Sequence, residues 1–274
     1  MIEQANIYKL NLKKLYENEK YTPFEKILKK EKVEQNELNQ WFREKLDLSL
    51  EKQKEFKAAD ELIKYIREKL YEIGIFVFKD SFKDEDVAGL CLYDSTFPII
   101  LLNNKTTFNR QIFTLFHEIY HIYLRETDID FTSESEEKEC NNFSSYFLIP
   151  KDDFDEQTEN ITEYTDEIIA NFAKEYCVSR NAIAYRLFQD EKIDFIVYSR
   201  YSKKINEKHI RTSTPSTGGH FYFTRINYLG KNYINKVFDS YYAGKISRSE
   251  VGLFTNLKPV NVSKLASYVI GGDL

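Results

Sequence analysis

The stretch from Arg110 to Leu124, R-Q-I-F-T-L-F-H-E-I-Y-H-I-Y-L, limits most strongly what this chain can fold into. Its apolar residues recur at helical spacing, and no glycine or proline interrupts them. His117 and His121 are four residues apart, so on a helix both imidazoles lie on one face and can bind one metal ion. Glu118 lies beside them, where it can accept a proton from water. We therefore interpret the stretch as the metal-binding helix of a hydrolase.

The composition is that of a globular protein. The 274 residues are 42% hydrophobic and 15% aromatic, enough for one large domain or two small ones. The net charge of −5 argues against a nucleic-acid surface along the whole chain. The N-terminus has no apolar signal core, and the longest apolar run, Phe97 to Leu102, is too short to span a bilayer. Because the three cysteines are scattered and odd in number, we expect free thiols in a cytoplasmic protein without membrane contact.

A small antiparallel sheet is predicted just before the metal-binding helix. Ile75 to Phe78 is typical of a strand that follows a helix ended by Gly74. Ala88 to Tyr93 and Ile99 to Leu102 favour a hairpin around the turn D-S-T-F-P. The edge of such a hairpin can hold an extended peptide beside the metal. Residues 7–72 are helical in pattern, with acids and bases interleaved, which favours helices packed on the core over a DNA-binding arm.

A third metal ligand should follow, because catalytic zinc usually has three protein ligands and one open position. A second helix is predicted from Ser133 to Leu148, since Pro150 disfavours helical geometry at the residue before it. On that helix Glu137 shares a face with small residues that allow close approach to the first helix. We predict that Glu137 is the third ligand. The alternative is Glu139, about 200° further round the helix.

Two strings of the sequence follow one another in the order of a known family. F-T-L-F-H-E-I-Y-H is similar to F-T-L-A-H-E-x-x-H, and E-K-E-C-N-N-F-S-S-Y-F-L-I-P is similar to E-x-E-A-N-x-F-A-A-x-L-L-M-P. Both patterns are those of the ImmA/IrrE metallopeptidases, which the chain resembles from about Ile73 to Leu187. Cys140 stands where the family pattern has alanine. The resemblance implies that Glu137, the earlier glutamate of E-x-E-A-N, is the third ligand.

The resemblance implies a cytoplasmic metal-dependent endopeptidase. His117, His121 and Glu137 would hold Zn²⁺, with Mn²⁺ also compatible with this ligand set. Glu118 would carry a proton from water to the leaving amine. The expected substrate is a regulatory protein, such as a repressor with a helix-turn-helix or an antitoxin-like partner. The alternative is a non-proteolytic, antitoxin-like or regulatory binding protein whose metal site is structural or vestigial.

The oxyanion that forms during hydrolysis needs a further hydrogen-bond donor. The sequence leaves four candidates open, namely Tyr120, Tyr146, His209 and His220.

A helix-turn-helix pattern follows Pro150, in I-I-A-N-F-A-K-E-Y-C-V-S-R-N-A-I-A-Y-R-L-F, with Ser179 as the cap of its second helix. The residues that would face DNA are Arg180, Asn181, Tyr185 and Arg186. The same pattern is common as scaffold in the resembled family, so we favour a helical buttress and expect no direct DNA binding. A DNA-bound partner would then be a separate helix-turn-helix repressor or toxin–antitoxin component.

The last seventy residues differ from the rest. His220 to Asn227 is predicted as a strand, Tyr233 to Ala243 as a helix, and Ser247 with Glu250 as the capping box of another helix. This tail resembles that of longer family members encoded beside PIN-like toxin proteins, which implies partner binding.

These predictions combine into an α+β fold with three parts. Residues 1–72 form an N-terminal helical segment, and residues 73–200 form the metallopeptidase domain with its small antiparallel sheet. Residues 201–274 form a C-terminal α/β extension that would bind a partner.

Overall fold

The computed structural model describes residues 1–28, 33–84, 86–126, 133–206 and 221–270. Three strands form one sheet, β1 (Phe76–Asp80), β2 (Gly89–Leu92) and β3 (Ile99–Asn103). The helices are α1 (Ile2–Leu15), α2 (Phe24–Ile27), α3 (Gln35–Lys45), α4 (Leu50–Glu55), α5 (Ala59–Glu72), α6 (Phe108–Leu124), α7 (Glu134–Leu148), α8 (Lys151–Thr158), α9 (Asp166–Glu175), α10 (Arg180–Gln189), α11 (Phe195–Asn206), α12 (Phe221–Leu229), α13 (Lys231–Tyr242), α14 (Arg248–Phe254) and α15 (Val262–Ile270), with a 3₁₀ turn at Pro259–Asn261. Within these ranges, no helix combines the length and apolarity that a bilayer crossing requires.

The sheet has the strand order β1-β3-β2 and is mixed. The predicted hairpin is confirmed, because β2 and β3 are antiparallel, with Gly89 opposite Leu102. The prediction of a wholly antiparallel sheet is wrong, because β1 runs parallel to β3, with Phe76 opposite Ile99. Each connection reverses the direction of the chain, so the first and third strands point the same way. The α+β class is confirmed, and β1 and β2 are the two edges of the sheet.

The two faces of the sheet belong to two different hydrophobic cores, because side chains alternate along a strand. Val77, Ile100 and Leu102 face the first core, with helices α3, α5 to α7, α9 and α10. Phe76, Phe78 and the remaining inward residues of β2 and β3 face the second core, with α1 and α12 to α15. The sheet therefore lies between the two helical layers.

The predicted strand at His220–Asn227 is wrong. Within the described residues this segment is α12, which begins at Phe221, and His220 lies outside them. Tyr222, Ile226 and Leu229 occupy one face of the helix and are buried in the second core. The alternating aromatic residues of this segment suggested a strand. The residues that the second core buries are spaced as on a helix, and the segment is helical. The described part of the C-terminal extension is all-helical rather than α/β.

Two further predictions are confirmed, the helix stop at Gly74 and the capping box at Ser247. Gly74 has a φ of 84° and follows the end of α5, where its N–H donates to the Tyr71 carbonyl. Ser247 and Glu250 form the capping box of α14. Most of the predicted polar linker after Lys203 lies outside the described residues. The domain boundaries after residues 72 and 200 stay a prediction.

Candidate metal centre

The two histidines lie in the C-terminal half of α6. The helix begins at its cap Thr107, whose hydroxyl accepts from the Arg110 N–H, and ends at Arg125 with a left-handed φ of 63°. The Nε2 atoms of His117 and His121 are 3.2 Å apart. The His121 side chain is fully buried, and that of His117 is 16% exposed. The His117 ring is therefore the one that borders open space.

Glu137 comes to the histidines from the first turn of α7. This turn is fixed by a capping box, in which Ser133 and Glu136 satisfy each other's backbone N–H groups. Glu137 Oε2 is 3.3 Å from His117 Nε2, and its Oε1 is 3.6 Å from His121 Nε2. The Glu139 carboxylate lies elsewhere, 3.4 Å from the Tyr120 hydroxyl. The structure thus brings Glu137, and not Glu139, to both imidazoles.

Two further side chains orient the imidazoles. His117 Nδ1 is 3.1 Å from Asn141 Oδ1, and His121 Nδ1 is 3.3 Å from Glu126 Oε2. Both oxygens are acceptors, so each Nδ1 can donate its proton there, and in that tautomer each Nε2 offers its lone pair to a metal ion. Sequence reasoning did not identify either orienting residue. Asn141 is one helical turn after Glu137, a spacing that could have indicated it, whereas Glu126 lies beyond the end of α6.

The two imidazoles and the Glu137 carboxylate are close enough together to bind one metal ion. Bonds of about 2.0–2.2 Å in a tetrahedron place ligand atoms about 3.3–3.6 Å apart. The two Nε2 atoms are 3.2 Å apart, and each lies 3.3 or 3.6 Å from a different oxygen of Glu137. A second potential donor, the Cys140 thiol, lies within 4.8 Å of the ligand atoms of both histidines. Burial, and the charge of Glu137 after it, raise the pKa of the Cys140 thiol well above its usual range. Carboxylates are ordinarily acidic, so that of Glu137 is the better match to the two imidazoles as a metal ligand.

Glu118 borders a cleft of about 680 Å³ that also contains His117 and Glu137. Its side chain is buried, on the side of α6 that faces β2. A Cβ atom on Gly89 of β2 would lie 3.3 Å from Glu118 Oε1. The glycine therefore gives room for α6 and its carboxylate to approach the edge strand closely.

The described oxyanion candidates do not line the cleft. The Tyr120 hydroxyl faces Glu139, and the Tyr146 ring stacks on the Arg186 guanidinium at 3.9 Å. His209 and His220 lie outside the described residues. Tyr185 does line the cleft, and its hydroxyl donates to Asn142 Oδ1 at 3.2 Å. Burial raises the pKa of Tyr185 to about 12, so it remains a proton donor at neutral pH.

The helix-turn-helix pattern forms α9 and α10, and Ser179 caps α10 as predicted. Of the four residues that would face DNA, Arg180 alone is exposed. Arg186 is fully buried and forms a 2.9 Å ion pair with Asp190. Asn181 and Tyr185 line the cleft instead. This geometry favours a buttress beside α7 over a DNA-reading surface.

The fold and the site together define a metallopeptidase-type domain, in which a metal-binding helix lies beside the edge of a small sheet. Residues 71–188 match the model of the peptidase M78 family, described as the IrrE N-terminal-like domain. The matched part of the chain carries both histidines and both glutamates, and the match confirms the predicted resemblance to this family of metallopeptidases.

Comparison with other proteins adds little to this assignment. No curated protein matches the chain significantly. Among solved structures, a transcriptional regulator of Mycobacterium tuberculosis is similar, with a TM-score of 0.36 and 13% sequence identity. The similarity covers 61% of this chain and 52% of the regulator, so the chain spans about half of the regulator's length. A TM-score at this level does not define a common fold.

Proposed function

We propose that this protein is a metal-dependent endopeptidase that hydrolyses a peptide bond in a regulatory protein. The observation that carries the proposal is the convergence of the His117 and His121 imidazoles and the Glu137 carboxylate, whose nitrogen and oxygen atoms lie 3.2–3.6 Å apart. The buried carboxylate of Glu118 borders the same cleft. The match of residues 71–188 to the M78 family model supports the same reaction class.

The two imidazoles and the Glu137 carboxylate would hold the ion, and this donor set suits Zn²⁺ and also Mn²⁺. A divalent ion supplies Lewis-acid polarisation of the scissile carbonyl and activates water for attack. Glu118 accepts a proton from the attacking water and transfers it to the nitrogen of the leaving amine. Tyr185 lines the same cleft, and its hydroxyl is the described group that we assign to the developing oxyanion.

The edge of β2 supports an extended peptide as the substrate. Within the part of the chain that the structure describes, β2 pairs with β3 alone, and the cleft is lined by Gly89, the first residue of β2, and by residues 86–88 just before it. Unpaired main-chain groups of an edge strand can bind a peptide by strand addition. A peptide so placed lies between β2 and the helices that carry the catalytic groups.

Arg110 marks one end of this peptide path. It is seven residues before His117 on α6, about 10 Å along the helix at 1.5 Å per residue, or about three residues of an extended peptide. Its guanidinium lines the cleft and forms no ion pair with any residue that the structure describes, although Asp86 lines the same wall. We propose that it binds an acidic side chain of the substrate.

The proposal is tested by comparing new protein N-termini in cells that carry the wild type or the Glu118→Gln variant. We expect a new N-terminus in a repressor or antitoxin-like protein with the wild type only. Metal analysis of both proteins serves as the control, since the variant retains all three ligands and should hold about one ion per chain. Identical cleavage in both strains, or no cleavage in either, would reject the proposal.

A non-proteolytic binding protein is the second candidate. The observation that favours it is a set of exposed apolar side chains on α13, on α14 and on the 3₁₀ turn at Pro259–Asn261. There Tyr242, Leu253 and Val260 are 61–74% exposed. If binding alone regulates the partner, the Glu118→Gln variant should restore regulation fully in cells. Loss of regulation with normal partner binding would instead favour the peptidase.

A further inference from the structure

A row of four aromatic rings begins in the cleft of the metal centre and ends at the protein surface. Phe113 of α6 is one helical turn before His117 and lines the same cleft. Its ring contacts that of Tyr185, which contacts Tyr198, which contacts Phe195, with successive centroids 6.4, 5.9 and 6.4 Å apart. We call these four side chains the aromatic row. The row connects the metal centre with the surface of the molecule.

The rings of the aromatic row are all in contact with solvent. Phe113, Tyr185 and Tyr198 are partly exposed, and these three also line the cleft. Phe195, at the outer end of the row, is 63% exposed, and the neighbouring Ile196 is 61% exposed. Apolar side chains that are exposed together beside a cleft are typical of a binding surface.

Two of the four rings come from outside the part of the chain that matches the peptidase family. The match ends at residue 188, whereas Phe195 and Tyr198 belong to α11. Asp194 fixes the start of this helix, because its Oδ1 accepts from the Val197 N–H at 2.8 Å. Phe188 of α10 stacks on Tyr198 with centroids 5.2 Å apart, which holds α11 against α10. The aromatic row is therefore not a property of the family domain alone.

The spacing of the rings matches that of the side chains of an extended peptide. Side chains on one face of a strand are two residues apart, a repeat of about 6.6–6.8 Å. The steps of the aromatic row, 5.9–6.4 Å, are close to this repeat. A peptide that adds to the edge of β2 is itself extended. Such a peptide can place one apolar side chain against each ring if its apolar residues alternate with others.

We propose that the aromatic row is a specificity site of the endopeptidase, where it binds an extended segment of the substrate with apolar residues at alternate positions. This inference rests on the proposed function. The segment continues from the cleft towards Phe195, so its apolar side chains cover the four rings while the scissile bond lies beside His117. The intervening side chains point away from the row and need not be apolar. A block of consecutive apolar residues would turn every second one away from the rings.

The test measures binding without hydrolysis, in the Zn²⁺-loaded Glu118→Gln variant of the full chain. The probes are two fluorescein-labelled peptides of the same composition, and fluorescence anisotropy measures their affinities. The peptide Ser-Leu-Ser-Leu-Thr-Leu-Ser-Leu-Asn has leucine at alternate positions, and Ser-Ser-Asn-Leu-Leu-Leu-Leu-Ser-Thr has its leucines in one block. We expect the alternating peptide to bind about tenfold more tightly, because it alone places all its leucines on one face.

A substitution in the aromatic row shows where the peptide binds. Phe195→Ser, made in the Glu118→Gln background, should weaken binding of the alternating peptide by about three- to tenfold, the usual worth of one aromatic contact. Because the Phe195 side chain is mostly exposed, thermal unfolding should not change. Phe221→Ser is the matched control, since Phe221 is a 47% exposed residue of α12 that is not part of the row. It should bind the peptide as the parent protein does.

Three results would overturn the proposal, namely no binding of the alternating peptide, equal affinity for the two peptides, or equal affinity of the Phe195→Ser and Phe221→Ser variants. The failure of the endopeptidase proposal is a different result. If the alternating peptide binds through the row and no new N-terminus forms in cells, the row is supported and the endopeptidase proposal fails. If cells show the new N-terminus and the peptide does not bind, the row fails and the endopeptidase proposal stands.

Discussion

Glu118 has the most specific task of the individual residues. Its replacement by Gln keeps the size and polarity of the side chain but removes the group that accepts a proton. We expect kcat/KM for peptide cleavage to fall by about 10²–10⁴-fold, the usual contribution of a general base. Metal content should not change, because both imidazoles and Glu137 remain. A Gln variant that loses the metal would show that Glu118 has a structural task instead.

Asn141 is expected to act through His117, whose Nδ1 proton it accepts. Asn141→Ala removes this acceptor, and loss of such an orienting partner typically lowers metal affinity by 10–100-fold. Competition with a chromophoric chelator measures the affinity without any substrate. Asn171→Ala, on the exposed side of α9, is the matched control and should keep the wild-type affinity.

At this scale the sequence predicted the residues whose positions follow from helical periodicity and missed the two side chains that orient the imidazoles. The spacing of His117 and His121 needs only the periodicity of a helix. The prediction of Glu137 also required the periodicity of a second helix. The structure places the Glu137 carboxylate 3.3 Å from His117 Nε2. Glu126 follows the end of α6, and only the left-handed turn at Arg125 directs its carboxylate back to His121. A single sequence does not specify the direction of such a turn.

Among the elements, β2 and α6 depend on Gly89 for their close approach. A Cβ atom there would lie 2.5 Å from Thr114 Cγ2 and 3.2 Å from the Leu101 carbonyl oxygen, so either strand or helix must move. We expect Gly89→Ala to lower the free energy of unfolding by about 1–3 kcal/mol and to impair cleavage. Urea denaturation and peptide kinetics measure the two effects.

The double variant Gly89→Ala/Thr114→Ser provides the matched rescue, because serine lacks the Cγ2 methyl group. It should recover part of the lost stability. Equal stability of Gly89→Ala and the wild type would contradict a close approach of α6 to β2.

The end of α7 depends on Gln53 of α4. The Gln53 side chain is fully buried, and its Nε2 donates to the carbonyls of Leu148 and Tyr176, each at 2.8 Å. Gln53→Met fills a similar volume but leaves buried carbonyls without these donors. At about 1–3 kcal/mol for an unsatisfied buried group, we expect the free energy of unfolding to fall by about 2–4 kcal/mol. Urea denaturation beside Gln40→Met, an exposed position of α3, tests this, and equal losses in the two would contradict it.

Local patterns predicted most elements, and the exceptions have a common cause. The hairpin of β2 and β3 and the capping box of α14 rest on residues that are neighbours in sequence. The parallel pairing of β1 with β3 and the helical state of Phe221–Leu229 depend on partners distant in sequence. Tyr222 and Ile226 are buried because the second core covers them, and no local pattern contains that information.

In the whole molecule, the first and last parts of the chain meet on one face of the sheet. The Tyr8 ring of α1 stacks on Phe78 with centroids 4.0 Å apart, and its edge faces Tyr233 of α13. Asn11 donates to the Tyr233 hydroxyl, which donates to the Phe254 carbonyl. The N-terminal helix therefore shares a core with the C-terminal helices rather than with α3 to α5. No local pattern in the sequence indicates this pairing, since the two parts are more than two hundred residues apart.

This arrangement predicts that residues 73–200 do not fold alone. Their isolation would expose one face of the sheet, which is buried by α1 and α12 to α15 and consists of Phe76, Phe78, Leu90, Leu92, Ile99 and Leu101. At about 1.5–3 kcal/mol for each buried side chain, exposure costs about 9–18 kcal/mol. The net stability of a domain is about 5–15 kcal/mol, so the fragment should lack a cooperative thermal transition and bind a hydrophobic dye, whereas the full chain should unfold cooperatively. A fragment that unfolds cooperatively would show instead that the predicted peptidase domain folds on its own and does not need the second core.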